Sequence, residues 1–124
     1  MRQHDTFKDL APMIIRRRLI IEAIIDHRYI NSEIISDYMI KLSETMNMTI
    51  VTNPIFNYLE EYGWSAYMSW KESGMHVYTW SETENRPSFM SIDIYTCKNF
   101  DLEKVIEFTK DAFKNSISEI TWRE

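Results

Sequence analysis

Apolar residues run almost unbroken from Leu19 to Ile25, interrupted only by Glu22. This length and β-branched content predict a strand buried on both faces. Asn31-Ser32-Glu33 supplies a helix N-cap, and Ile34, Ile35, Tyr38, Met39, Leu42 and Met46 then recur at helical spacing. Thr49-Ile50-Val51 reads as a short strand, Pro54 punctuates a loop, and 57–63 reads as a polar connection carrying Tyr58 and Tyr62. Period-two alternation over 64–70, 75–80 and 89–97 predicts three antiparallel neighbours, the first two joined by a turn at 71–74. The connection at 81–87 is too long for a tight hairpin. Asp101 caps a second helix with Leu102, Val105, Ile106 and Phe113 on one face, and 117–122 forms a closing strand. The order β-α-β-β-β-β-α-β predicts an α+β two-layer sandwich: a mostly antiparallel sheet with two helices on one face.

The alternation also sorts the strands' two faces. Met75, Val77 and Thr79 fall on the side of Ile92 and Ile94, the expected core beneath the helices. The other side collects Ser65, Tyr67, Ser69, His76, Tyr78, Trp80, Ser91, Asp93, Tyr95 and Cys97. A face so rich in hydroxyl, aromatic and ionisable groups is expected to be covered by a ligand or another subunit.

The chain's 124 residues amount to one domain, spanning 1–124. A net charge of −5 gives no basic field to hold a phosphate backbone, so nucleic acid is not an expected partner. The single Cys97 permits neither an internal disulfide nor a cysteine-rich zinc site, and a cytoplasmic setting is expected. No apolar stretch approaches the roughly 20 residues of a membrane span, so no membrane contact is expected. An N-terminus carrying His4, Asp5, Lys8 and Asp9 does not read as a signal peptide.

Candidate chemistry centres on a few positions. Glu72-Ser73-Gly74 is either a plain polar turn or a site of backbone self-cleavage, because turn strain can set a serine hydroxyl against the preceding carbonyl. Cys97 reads first as a small buried hydrophobe and, in the sharper reading, as a proton donor or nucleophile. His4, His27 and His76 lack metal-ligand spacing, so no metal is expected. Two glycines, Gly63 and Gly74, are too few for a phosphate-cradling loop. Arg16-Arg17-Arg18 reads as a solvated edge able to meet a carboxylate or phosphate.

Five segments occur in a telling order: Thr49-Ile50-Val51-Thr52; Tyr62-Gly63 with Ser65; Glu72-Ser73; Thr79-Trp80-Ser81-Glu82; and Ile92-Asp93-Ile94-Tyr95-Thr96-Cys97. Together they resemble the bacterial S-adenosylmethionine decarboxylase proenzymes, from about Leu19 to the end. The resemblance implies self-cleavage before Ser73 by an N-to-O acyl shift and β-elimination. The pyruvoyl group so formed would condense with the substrate amine and act as an electron sink for loss of carbon dioxide. It further implies Ser65 as an assistant in processing and Cys97 as the acid that reprotonates the substrate carbon. Glu82 would hold ribose hydroxyls, and Trp80 with an aromatic near Tyr58 would cover the adenine. It also implies a homodimer formed by sheet packing.

This chain departs from the family pattern in several places. Tyr78 stands where the family has a histidine used in the elimination, Gly74 where a histidine commonly follows the processing serine, and Ser81 where a proline is usual. The 81–87 connection is about four residues longer than usual. The first strand lacks the Gly-and-His opening. Three functions stay open. The first is pyruvoyl-dependent decarboxylation. The second, resembling viral adenosylmethionine lyases, is a cofactor-free lyase releasing methylthioadenosine and a lactone, with Tyr67, Tyr78, Glu72 or Glu82 orienting the substrate. The third is a non-catalytic regulatory paralogue.

Overall fold

The computed structural model describes residues 6–124, and His4 and Asp5 lie outside them. The strands are β1 (Arg17–Ile25), β2 (Ile55–Leu59), β3 (Gly63–Trp70), β4 (Ser73–Trp80), β5 (Phe89–Thr96) and β6 (Ile117–Arg123). The helices are α1 (Ser32–Thr45) and α2 (Leu102–Ala112). All six strands form one antiparallel sheet in the order β2-β3-β4-β5-β1-β6. This is the expected α+β two-layer architecture, with the helices on one face.

Pattern and capping explain the helices. The Asn31 side chain accepts the Ile34 N–H at 3.0 Å, and Asp101 accepts the Lys104 N–H at 3.3 Å, so each helix starts on an acceptor for an otherwise orphaned donor. Ile35, Tyr38, Met39 and Leu42 of α1, with Val105 and Ile106 of α2, bury against the inner face of the sheet. That face presents Leu19, Ile21, Met68, Met75, Val77, Met90, Ile92 and Ile94, all buried. Tyr38 and Thr109 join the two helices through a 2.7 Å hydroxyl contact, and burial pushes the Tyr38 phenol well above its ordinary pKa.

Ser43 ties helix to sheet. Its buried hydroxyl donates to the Met39 carbonyl at 2.7 Å and accepts the Trp70 indole N–H at 2.8 Å. Trp70 ends β3 directly before the β3–β4 turn, so this tie also holds the turn. Ser43→Ala strands a buried indole donor, and we expect a loss of about 1–3 kcal/mol in urea unfolding with an unchanged m-value.

Three expectations need correction. Residues 49–51 are not a strand: Ile50 makes one bridge to Trp70, and the Val51 and Thr52 N–H groups share the Ser69 carbonyl at 2.9 and 3.3 Å. The Thr49 N–H, needed for a ladder, goes instead to the Glu72 carboxylate at 2.8 Å. The strand in this region is β2, which runs from the loop after Pro54 into the segment 57–63 read as a polar connection. As an edge strand with apolar Ile55 and Leu59 facing water, it hides its alternation. Finally, β1 is buried on its inner face alone, since Ile20, Glu22 and Ile24 are only half-buried on the other.

The turn is also shorter than 71–74. Lys71 and Glu72 form it alone, because Ser73 already pairs with Trp70, and Gly74 with Ser69. Gly74 is required by close approach: a Cβ there would lie 2.5 Å from the Met68 carbonyl oxygen. No histidine side chain fits at that position without moving the hairpin.

Candidate functional site

The β3–β4 turn builds the first cluster. Both Glu72 carboxylate oxygens face Thr49, one taking its N–H at 2.8 Å and the other its hydroxyl at 3.1 Å. The Thr49 N–H is the main reason the Glu72 carboxyl is held below its usual range, with the Lys98 charge adding to it. Ser73 follows with φ +131°, a backbone conformation that a side chain rarely adopts and that costs of order 1–3 kcal/mol. The Glu72 carbonyl, the acyl half of the 72–73 peptide, accepts the Cys97 N–H at 2.9 Å. The same backbone donor would stabilise negative charge developing on that oxygen during attack on its carbon.

Cys97 is exposed, which corrects the reading of it as a buried hydrophobe. It lies one residue beyond Thr96, the last paired residue of β5. Its neighbour Thr96 pairs with Ser73. Glu72, Ser73 and Cys97 therefore meet at one end of the sheet.

The second cluster occupies the outer face toward the opposite end. Ser65 and Tyr78 are cross-strand partners, as are Tyr67 and His76. A band of rings crosses this face: Tyr67 on His76 at 4.6 Å, His76 on Tyr78 at 5.5 Å and nearly parallel, Tyr78 to Trp80 at 6.5 Å, and Trp80 to Phe89 at 5.4 Å. At its end lies a pocket of about 250 Å³ walled by Leu59, Tyr62, Ser65, Tyr78 and Trp80. The Tyr62 carbonyl accepts the Ser81 N–H at 2.7 Å, which fixes the pocket's rim to the strand carrying Trp80.

Tyr58 does not join this pocket. It pairs with Trp64 on the helix side of the sheet, ring on ring at 4.9 Å, so the aromatic wall near it is Tyr62. Glu82 is exposed in the 81–88 connection, beside a separate hollow lined by His27, Ile30 and Ser81. Sequence reasoning placed His76 on the right face without giving it a role, and left Tyr62 in a connection. The signal for Tyr62 was its place beside Gly63, whose φ of +133° turns the chain into β3.

The arginine triplet meets carboxylates, each at a different element. Arg16 pairs with Asp9, Arg17 with Glu124 at 2.5 Å, and Arg18 with Asp93 at 2.7 Å on the outer face. Asp93 is also the first reason the Arg18 pKa is raised. A further hollow of about 530 Å³ lies between α1 and α2, away from both clusters. Its Lys41 is already paired with Asp37 at 3.1 Å. Among the described residues no three His, Cys, Asp or Glu side chains group as metal ligands, and no helix is long and apolar enough to cross a membrane.

The geometry can be set beside known proteins. The chain resembles the solved adenosylmethionine decarboxylase from Aquifex aeolicus VF5, with a TM-score of 0.68 over 89% of this chain and 88% of that one, at 14% identity. That likeness shows a shared fold. Comparison with curated protein sequences gives no match. A family model described as S-adenosylmethionine decarboxylase matches residues 19–123, from β1 through β6, and includes both the strained Ser73 and the aromatic pocket. With nearly the whole sheet and both clusters inside that match, the chain belongs to the S-adenosylmethionine decarboxylase family.

Proposed function

We propose that the chain decarboxylates S-adenosylmethionine after cleaving its own 72–73 peptide bond. The observation that carries this reading is the Glu72–Ser73 link itself. A serine sits at φ +131°, and the preceding carbonyl receives the Cys97 N–H at 2.9 Å. These residues fit a pyruvoyl group at position 73. The Ser73 hydroxyl attacks the Glu72 carbonyl carbon, the C–N bond breaks, and the nitrogen takes the hydroxyl proton, leaving an ester. Loss of the Ser73 Cα proton then expels the Glu72 carboxylate. Water converts the remaining enamine to a ketone with release of ammonia. Breaking the peptide also frees the backbone strain at Ser73.

Once formed, the pyruvoyl group supplies an electron sink for loss of carbon dioxide. The chain's own side chains do the rest. Cys97, exposed beside the new terminus, holds a proton for the substrate carbon. Trp80 and Tyr62 offer flat walls for a purine and π-faces for a sulfonium. Glu82 offers a carboxylate to ribose hydroxyls, and Tyr67 borders the binding surface on the outer face, whereas Tyr58 supports it only indirectly, through Trp64 on the other side of the sheet. Ser65 and Tyr78 act in processing.

Their placement argues for two copies. Tyr78 is five residues from Ser73 along β4, roughly 16 Å, and by alternation the two side chains leave opposite faces. Ser65, paired to Tyr78, is equally remote. Within one chain they cannot reach the bond they would serve; a second copy, turned end for end, can bring them to it. The pocket points the same way. At about 250 Å³ it is smaller than the ~300–1,000 Å³ of typical ligand sites, so another wall is needed to enclose an entire nucleoside.

A second reading is favoured by Tyr78 itself. A phenol is by its chemistry a weaker base for the elimination than the imidazole that the family uses there. If the bond stays intact, the aromatic pocket could fold the substrate so that its own carboxylate displaces the sulfonium, giving methylthioadenosine and a lactone. Intact-mass measurement of the purified protein together with product analysis separates the two. We expect fragments of 72 and 52 residues, the second blocked by pyruvoyl, and carbon dioxide from carboxyl-labelled substrate. A single 15.0 kDa species producing methylthioadenosine would replace this reading with the second.

A further inference from the structure

The chain ahead of β1 is built unlike the rest of the surface. Phe7, Leu10 and Met13 are 80%, 84% and 82% exposed, and Ile14 and Ile15 are half open to water. The segment is not an extended tail. Asp9 accepts the Ala11 N–H at 2.9 Å and pairs with Arg16, and the Ile14 N–H returns to the Ala11 carbonyl at 2.9 Å. Polar groups are thus satisfied inside the loop while its large apolar side chains point outward. A cluster of this kind marks a contact surface. It also precedes the family match, which begins at residue 19.

The opposite corner of the sheet carries a complementary patch. The β2–β3 rim exposes Ile55, Leu59 and Tyr62, and its turn holds two exposed carboxylates, Glu60 and Glu61. The arm brings the exposed cation Lys8 among its apolar groups. Apolar meets apolar, and basic meets acidic. The two patches cannot meet within one chain. The arm emerges at Arg17, in line through Thr96 and Ser73 with Trp70, whereas the rim starts at Gly63, roughly 20 Å away along β3 and three strands across. The loop closed by Asp9 is too compact to span that gap. A two-fold pair solves the problem twice, because each copy offers one arm and one rim.

We propose that residues 7–15 form a docking arm that packs on the β2–β3 rim of a second copy of this chain, Leu10 and Met13 against the exposed aliphatics Ile55 and Leu59, Lys8 against Glu60 and Glu61. The inference rests on the two-copy reading of the site and adds the element that holds the copies together.

Sedimentation equilibrium of the full chain tests it. The wild type is expected to sediment as two chains. Leu10→Asp with Met13→Asp, both more than 80% exposed, should weaken association about 100-fold without changing the circular dichroism spectrum. Lys8→Glu alone and Glu60→Lys with Glu61→Lys alone should each weaken association, and combining them should restore it. A wild type that sediments as one chain, an association constant unmoved by the aspartates, or a combination no tighter than its parts overturns the proposal. Intact mass on the same samples keeps the two readings apart. Paired chains that depend on the arm but stay uncleaved leave this inference standing and remove the self-cleavage reading. Cleaved chains whose pairing ignores the arm do the reverse.

Discussion

Ser73→Ala is expected to leave a single uncleaved chain and to abolish decarboxylation below detection. Alanine keeps the backbone and the Cys97–Glu72 hydrogen bond but removes the hydroxyl that attacks the carbonyl carbon. The neighbouring hydroxyls are engaged or distant: that of Thr49 by the Glu72 carboxylate at 3.1 Å, that of Thr96 by Met48 and the Lys98 N–H, and Ser65 is remote along the sheet. The strain argument has its own test. Ser73→Gly also lacks the hydroxyl, but glycine adopts φ +131° without a side-chain penalty, so the glycine variant should unfold at higher denaturant than the alanine variant by about 1 kcal/mol. The measurements are intact mass, labelled carbon dioxide release and urea unfolding. Turnover retained by the uncleaved alanine variant would eliminate the pyruvoyl mechanism.

Why part of this molecule was legible in its sequence and part was not follows from what each residue touches. The central strands β3, β4 and β5 each have one face under the helices, so Met75, Val77, Ile92 and Ile94 impose a strict period of two. The same alternation placed His76, Tyr78 and Trp80 on one outer face, and the rings do line up there. Helix α1 was legible for a similar reason: Asn31 announces its start, and Ile35, Tyr38, Met39 and Leu42 all bury. Edge strand β2 gave no such signal, because Ile55 and Leu59 face water and Phe56 faces Trp64.

The turn at Glu72 was misjudged by two residues for a different reason. A serine at positive φ is a rare start for a strand, and local propensity alone assigns it to the loop. That mismatch between local preference and observed conformation is what singles out Ser73. What the sequence could not convey is reach. Ser65, Ser73 and Tyr78 lie within fourteen positions of one another, yet antiparallel pairing carries Ser65 and Tyr78 together and leaves Ser73 at the far end. The resemblance named these residues without their distances, and the sheet sorts them into two groups.

Tyr78→His is expected to accelerate cleavage of the 72–73 bond by roughly 100-fold at neutral pH, the lower end of what general base catalysis supplies. The elimination that follows the acyl shift removes a Cα proton. An imidazole with an ordinary pKa near 6.5 is substantially unprotonated at pH 7, whereas a phenol with a pKa near 10 is almost wholly protonated. The site accepts the change sterically: Tyr78 is 38% exposed and faces Ser65 across the ladder, so the smaller ring leaves no buried cavity. His76 does not reach the elimination through Tyr78. It lies two residues along the strand and meets Tyr78 face to face at 5.5 Å, a stack that offers no hydrogen-bond path between the rings. The pH profile fixes the assignment. Cleavage by the histidine variant should rise through pH 6–7 and level off, the deprotonated imidazole being the active form, a step that the parent chain lacks. Because Tyr78 and Ser73 of one chain are too far apart, mixing supplies the final discrimination. Chains carrying Tyr78→His with Ser73→Ala, which cannot themselves be cleaved, should speed cleavage of co-refolded parent chains. Acceleration seen only when both positions lie on the same chain would place the base in cis and rule out the two-copy site.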